Sequence, residues 1–162
     1  MIEYVQEEIK TLLEASMANR ITTFYTEEVA LTPKSYLPAL MVIGNSEEVI
    51  AKSTACDQYI YNITVRVVLD LKKFLDEAGT GDTIKSQQEL KKIMGERDSS
   101  TGGPKSDTLI GTLRKPDNIR GIGYLFNNNI DTSYTIVPAD GWFYVKAEAT
   151  FTLITDLILR QN

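Results

Sequence analysis

The residues whose types could do chemistry in this 162-residue chain are carboxylates and scattered cations, because histidine is absent and Cys56 is the single cysteine. That composition excludes every Ser-His-Asp or Cys-His arrangement, a cysteine-based zinc site, an intrachain disulfide and a histidine pH switch. Catalysis would have to run on carboxylates, lysine or tyrosine alone. Glu27-Glu28 and Glu47-Glu48 are carboxylate pairs, but neighbours on a strand point to opposite faces, so both read as solvated surface. Gly103-Pro104-Lys105-Ser106 has the outline of a phosphate loop. Proline, however, stands where the glycine amide beside the lysine is required, and a helix rather than a strand precedes it. Gly121-Ile122-Gly123 lacks a third glycine and a following helix and reads as a bend or bulge. Asn62-Ile63-Thr64 fits the glycosylation pattern but falls inside a strand. Arg114, Lys115 and Arg120 lie near Tyr124 and Phe126, a basic-aromatic cluster that reads as a solvated turn in a chain of net charge −5. The residues thus point to no catalytic group, cofactor or metal.

The elements that would position any site are clearer. From Tyr59 to Leu71, residues Tyr59, Tyr61, Ile63, Val65, Val67 and Leu69 share one parity, and Asn62, Thr64, Arg66 and Asp70 the other. From Trp142 to Leu157, Phe143, Val145, Ala147, Ala149, Phe151 and Leu153 alternate with Lys146, Glu148, Thr150 and Thr152. A period of two marks strands with one face in a core and one in water. Strands this long exceed the usual five or six residues, so the sheet is a scaffold or extends beyond its own core. Arg66 and Glu148 fall outward near the two strand centres and would pair if the strands are neighbours in register, for about 0.2–1 kcal/mol. As an exposed strand residue, Arg66 should be replaceable by alanine for less than about 1 kcal/mol.

Ile2 to Ala18 reads as an amphipathic helix with Ile2, Val5, Ile9, Leu12 and Leu13 on its apolar stripe. Arg20 to Lys34 reads as a surface arm or loop holding a short strand at Ile21 to Tyr25. Leu37 to Ile43 is a strand ending at a Gly44-Asn45-Ser46 turn, Glu47 to Ser53 its return, and with the first long strand they make an antiparallel meander. After a break at Gly79-Thr80-Gly81-Asp82, Ser86 and Glu89 form a capping box opening a helix that buries Leu90, Ile93 and Met94 and stops at Gly95. Ser99 to Ser106 is the most flexible internal segment by composition. A helical turn capped by Ser106 or Asp107 follows, burying Leu109, Ile110 and Leu113. Ile122, Tyr124 and Phe126 alternate as a strand before an Asn127-Asn128-Asn129 turn. Tyr134 to Val137 is a short apolar piece, and Asp140-Gly141 turns the chain into the last strand. The expected fold is α+β: a mainly antiparallel sheet with two long strands, packed by an N-terminal and a central helix, in one domain over residues 1–162.

Hydrophobic content of 43% and charged content of 24% are ordinary for a globular protein, and no apolar run reaches the length of a membrane span. The acidic, amphipathic start differs from a secretory signal, which predicts a cytoplasmic protein.

The order of elements resembles the tail-terminator and head-to-tail joining proteins of long-tailed bacteriophages. The likeness is carried by Tyr36-Leu37-Pro38-Ala39-Leu40 entering the first core strand, by Tyr61-Asn62-Ile63-Thr64-Val65-Arg66-Val67, by Glu89 to Met94, and by Ser106-Asp107-Thr108-Leu109-Ile110-Gly111-Thr112-Leu113-Arg114. It implies a non-enzymatic virion protein, assembled in the host cytoplasm as a hexameric homo-oligomeric ring. Such a ring sits on the tail tube protein, stops tube growth, meets the head connector or adaptor protein and lets double-stranded DNA pass through its lumen. Arg20, Phe24, Tyr25, Lys34, Ser99, Lys105, Asn127, Asn128 and Asn129 are the candidate assembly residues under this resemblance. Two alternatives stay open: another virion subunit of tube, baseplate or connector-adaptor type, and a small ligand-binding domain or histidine-free enzyme.

Overall fold

The alternation of the two long segments becomes the two faces of one sheet. The computed structural model describes residues 1–30, 32–53, 56–70, 83–139 and 142–158. In it, strands β3 (Cys56–Asp70) and β6 (Trp142–Ile158) run antiparallel, in register from Cys56 opposite Ile158 to Asp70 opposite Tyr144. Tyr61, Ile63, Val65, Val67 and Leu69 of β3 and Val145, Ala147, Ala149, Phe151 and Leu153 of β6 are buried on one face. Against them pack helix α1 (Ile2–Met17), through Val5, Ile9, Leu13 and Met17, and helix α2 (Thr83–Gly95), through Leu90, Ile93 and Met94. Each such aliphatic side chain contributes about 1.5–3 kcal/mol by leaving water. The fold is α+β with a mostly antiparallel sheet, as expected.

The helical layer holds two departures from the sequence reading. Helix α2 begins at Thr83, so Ser86 lies a turn inside it, fully buried, instead of capping its start. Helix α3 (Leu109–Leu113) is capped by Thr108 instead of Ser106 or Asp107. A cap needs extended backbone immediately before the first helical residue, and Thr108 has it at φ −109°, ψ 159°. Its hydroxyl accepts from the Gly111 amide at 3.2 Å and donates to the Lys105 carbonyl at 2.7 Å. A Cβ on Gly111 would stand 1.9 Å from that same carbonyl, so only glycine lets α3 close on its cap. A short helix α4 (Pro116–Ile119) follows.

Strand β2 spans Ala39–Ser53, continuing through the expected turn. Gly44 faces Ile63 and Ser46 faces Asn62, leaving Asn45 as the extra residue of a bulge. Its side chain donates to Thr64 at 2.7 Å, so the strand absorbs the insertion and continues. The meander is therefore a hairpin of two long strands, β2 and β3. The breaks at Gly79-Thr80-Gly81-Asp82 and Asp140-Gly141 lie outside the described residues.

Strand β1 (Thr23–Tyr25) pairs in parallel with Ala39–Met41. The stretch from Arg20 to Lys34 is accordingly less free than a surface arm, because Ile21 and Thr32 are buried. Just beyond β1, the buried Gln6 amide donates to both the Thr26 and the Val42 carbonyls, at 2.5 and 2.9 Å. Ser99 to Ser106, flexible by composition, holds a closed turn: the Asp98 carboxylate accepts from the Ser100 and Thr101 amides, and Asp98 and Gly103 are joined through their backbones at 2.8 Å.

Beyond β6 the far side is split between β4 (Tyr124–Leu125) and β5 (Asp131–Ala139). The expected alternation here is out of phase. Leu125 is the buried residue of β4 while Tyr124 and Phe126 are half exposed, because Phe126 already enters a 3-10 turn. Asn127 and Asn128 of that turn have φ of 51° and 56°, a region that asparagine tolerates. The sheet order is β1-β2-β3-β6-β4, with β5 also alongside β6.

Candidate functional site

Burial along β2 divides the molecule into a body and a projecting arm. Ala39 to Val42 are buried, and every residue from Asn45 to Ser53 is exposed, although β2 remains paired with β3 to the end. The arm is the outer half of β2, held to the sheet by its pairing with β3. From Ser46 to Ser53 no strand lies along its outer edge among the described residues. Glu47, Glu48, Val49 and Ile50 stand there in solvent, and neither carboxylate has an ion-pair partner among the described residues. Lys52, on the same edge, is paired with Asp156 at 3.1 Å.

The opposite edge carries the other sign. Arg114, Lys115 and Arg120 are exposed without an ion-pair partner among the described residues, beside half-exposed Tyr124 and Phe126. Arg114, Arg120, Tyr124 and Asn128 line one cleft of about 390 Å³, which also touches Asp117. The β4 edge is drawn tight against β6 at Gly123, where a Cβ would lie 2.4 Å from the Ile154 carbonyl oxygen.

Between the edges, the helix-free face of the sheet holds a line of ion pairs. Arg66 donates from Nε to Glu148 at 2.7 Å and also binds Glu28 from the loop after β1. Lys146 reaches Glu148 at 3.3 Å. Burial pushes the Glu148 carboxyl up, but hydrogen bonds from Arg66 and Lys146 outweigh it and hold the group below the usual carboxylate range. Arg66 is only 19% exposed, so it is less of a surface residue than its parity suggested. The loop after β1 borders it and forms, with Met41, Val68 and Tyr144, a half-open cleft of about 220 Å³.

The sequence-predicted residues do not converge on one place. Arg20 and Lys105 meet through Glu96, at 2.8 and 2.7 Å. Arg20 also grips Asp107 by two hydrogen bonds of 2.9 and 3.1 Å, tying the end of α1 to the segments around α2 and α3. Those bonds, with one from Asn19, bring the Asp107 carboxyl down to about 2. Phe24 and Tyr25 lie on β1, Phe24 packed partly against the core. Lys34 is in a 3-10 turn over Lys34–Tyr36, and Ser99 is exposed in the Asp98 turn. Asn127, Asn128 and Asn129 are exposed between β4 and β5. The unpaired edge from Glu47 to Ser53 was missed because Gly44-Asn45-Ser46 looks like the end of a strand. Its signal is that Glu47, Glu48, Lys52 and Ser53 leave the run after it with no wholly apolar face while it is still long enough to pair.

Among the described residues, no group of three or more carboxylates and cysteines is placed to hold a metal, and no helix is long and apolar enough to cross a membrane. Compared with known proteins, the chain matches no family model and no curated sequence.

Proposed function

We propose that this chain is a structural ring subunit of a long-tailed bacteriophage, the tail terminator that caps the tail tube and joins it to the head. The observation that carries the reading is the outer half of β2, exposed at every residue from Asn45 to Ser53 and, among the described residues, unpaired along its outer edge. The bulge at Asn45 and the charges beyond it restrain indiscriminate strand pairing, so a neighbour must be matched to this edge through its side chains. The resemblance in element order supplies the identity of the assembly, a hexamer stacked on the last ring of the tube with its other side to the connector.

Six copies at −5 each would carry −30, which suits a conduit through which DNA slides without sticking. The same charge opposes association of free subunits at low salt. The subunit therefore remains monomeric when dilute and assembles when concentrated or when a tube end offers a template whose contacts offset the ordering of loops. The reading requires no catalytic activity and no cofactor. Sedimentation at low and high concentration, together with electron microscopy of mixtures with tail tubes, tests it: rings at high concentration or on tube ends are expected. A stable dimer at micromolar concentration that ignores tube ends would refute it.

A further inference from the structure

We propose that the two edges of the sheet are the two halves of one contact between copies of this chain, with Glu47 and Glu48 of one copy facing Arg114, Lys115 and Arg120 of the next. The inference rests on the ring reading above and names the surfaces that would build it.

The ladders give the height of each edge residue. Glu48, Ile60, Ile154 and Tyr124 form one row across the sheet, and Phe24, Leu40, Val67, Ala147 and Tyr134 form another. Each edge thus has its counterpart at the same level on the other. Strands β2 and β6 run in one direction, since both are antiparallel to β3, while β4 and β5 run in the other. A second copy placed edge to edge, neither inverted nor slid, therefore brings β5 to β1 and β4 towards β2 in antiparallel fashion. A placement without a slide along the strands has no rise per copy, which is what a ring requires of its contact.

The two levels differ in width. Strand β1 adds one strand at the height of Phe24 and none at the height of Glu48. When β5 of one copy reaches β1 of the next, β4 and β2 stand about 4.8 Å further apart than paired strands. That gap is too wide for backbone hydrogen bonds and suits long side chains. It is where the acidic edge and the basic cluster lie, with Asp117 lining the basic cleft and Asp156, beside Arg120 in the next cleft, already bound to Lys52. Val49 and Ile50 on one side, and Tyr124 and Phe126 on the other, bring exposed apolar surface to the same seam. The opposite charges also fix the sense of docking, because like edges set carboxylate against carboxylate.

Two charge reversals test the contact: Glu47→Lys with Glu48→Lys, and Arg114→Glu with Arg120→Glu. Each is checked by circular dichroism and then followed by sedimentation at the concentration where the wild type forms rings. Alone, each variant should associate roughly tenfold or more weakly, because its seam carries like charges. Mixed in equal amounts they should recover ring formation, because every seam between unlike variants is again complementary. Assembly of either variant alone at wild-type strength, or no recovery on mixing, overturns the surfaces and leaves the ring reading standing. A wild type that forms no ring at any concentration or on tail tubes overturns both. If a reversal fails to fold, Glu47→Gln with Glu48→Gln and Arg114→Gln with Arg120→Gln give the single-variant comparison with a smaller drop, and wild-type association of both overturns the surfaces.

Discussion

Arg66 and Glu148 face each other on the two central strands, 2.7 Å from Nε to Oε1, at register-matched positions of β3 and β6. Because Glu28 shares the guanidinium, this pair also fastens the loop after β1 to the sheet.

Removing the arginine leaves a Glu148 carboxylate, 25% exposed, with only Lys146 beside it. We expect Arg66→Ala to cost about 1–3 kcal/mol, above the figure for a surface strand residue. In a Glu148→Ala background the same change should cost less. Urea denaturation of the four proteins in that cycle measures the difference, and equal costs in both backgrounds would show that the pair contributes nothing.

Val65 and Phe151 are 0% and 4% exposed beneath the helices. Val65→Asp or Phe151→Asp is expected to abolish soluble folding, since each buries a charge without a partner. Glu48→Lys on the arm should leave the unfolding midpoint of the monomer almost unchanged. Thermal unfolding followed by circular dichroism separates these outcomes, and comparable losses would mean that body and arm are not energetically distinct.

Gly123→Ala forces a methyl group into the Ile154 carbonyl. The expected result is a loss of about 1–3 kcal/mol, as for other overpacked sites. Hydrogen exchange should quicken at Tyr124 and Leu125 while the β3–β6 ladder keeps its protection. Faster exchange throughout the ladder would contradict a local effect.

Asp107 falls from an ordinary 3.8 to about 2 through its bonds from Arg20 and Asn19. A carboxyl lowered on folding adds stability above its unfolded value and loses it as pH falls through the folded one. Stability should therefore hold above about pH 4 and decline towards pH 2, with Glu96, lowered by Lys105 and then Arg20, contributing in the same direction. Asp107→Asn should be less stable at neutral pH and lose less on acidification. Denaturation midpoints across that range give the test, and parallel curves for the two proteins would count against it.

The core was legible because a two-residue period has a single physical reading once one face is apolar. Tyr61 to Leu69 and Val145 to Leu153 followed it, and α1 followed its 3.6-residue stripe. Local punctuation was less reliable. Gly44-Asn45-Ser46 has turn chemistry, but Asn45 satisfies itself on Thr64 and the ladder runs on. Ser86 and Glu89 have capping-box spacing, but helix nucleation a turn earlier places Ser86 inside. In the Ser99 to Ser106 turn, glycines suggest freedom that the Asp98 carboxylate removes. The candidate site was legible only as composition: the register that sets Glu48 level with Tyr124 runs from the β2–β3 hairpin across β6 to β4, far away in sequence, which no local pattern encodes.

Gln6 gives the edge of β2 an origin. Strand β1 pairs as far as Met41, and the Val42 carbonyl that follows is occupied by the Gln6 amide. Between the end of β1 and the bulge after Gly44, the edge is thus partly occupied by the chain's own groups. An edge open along its whole length would accept neighbours at several offsets of two residues, each burying similar surface. Here a helix residue sets a fixed mark on the edge, so the chain itself determines where a neighbouring surface begins to meet it.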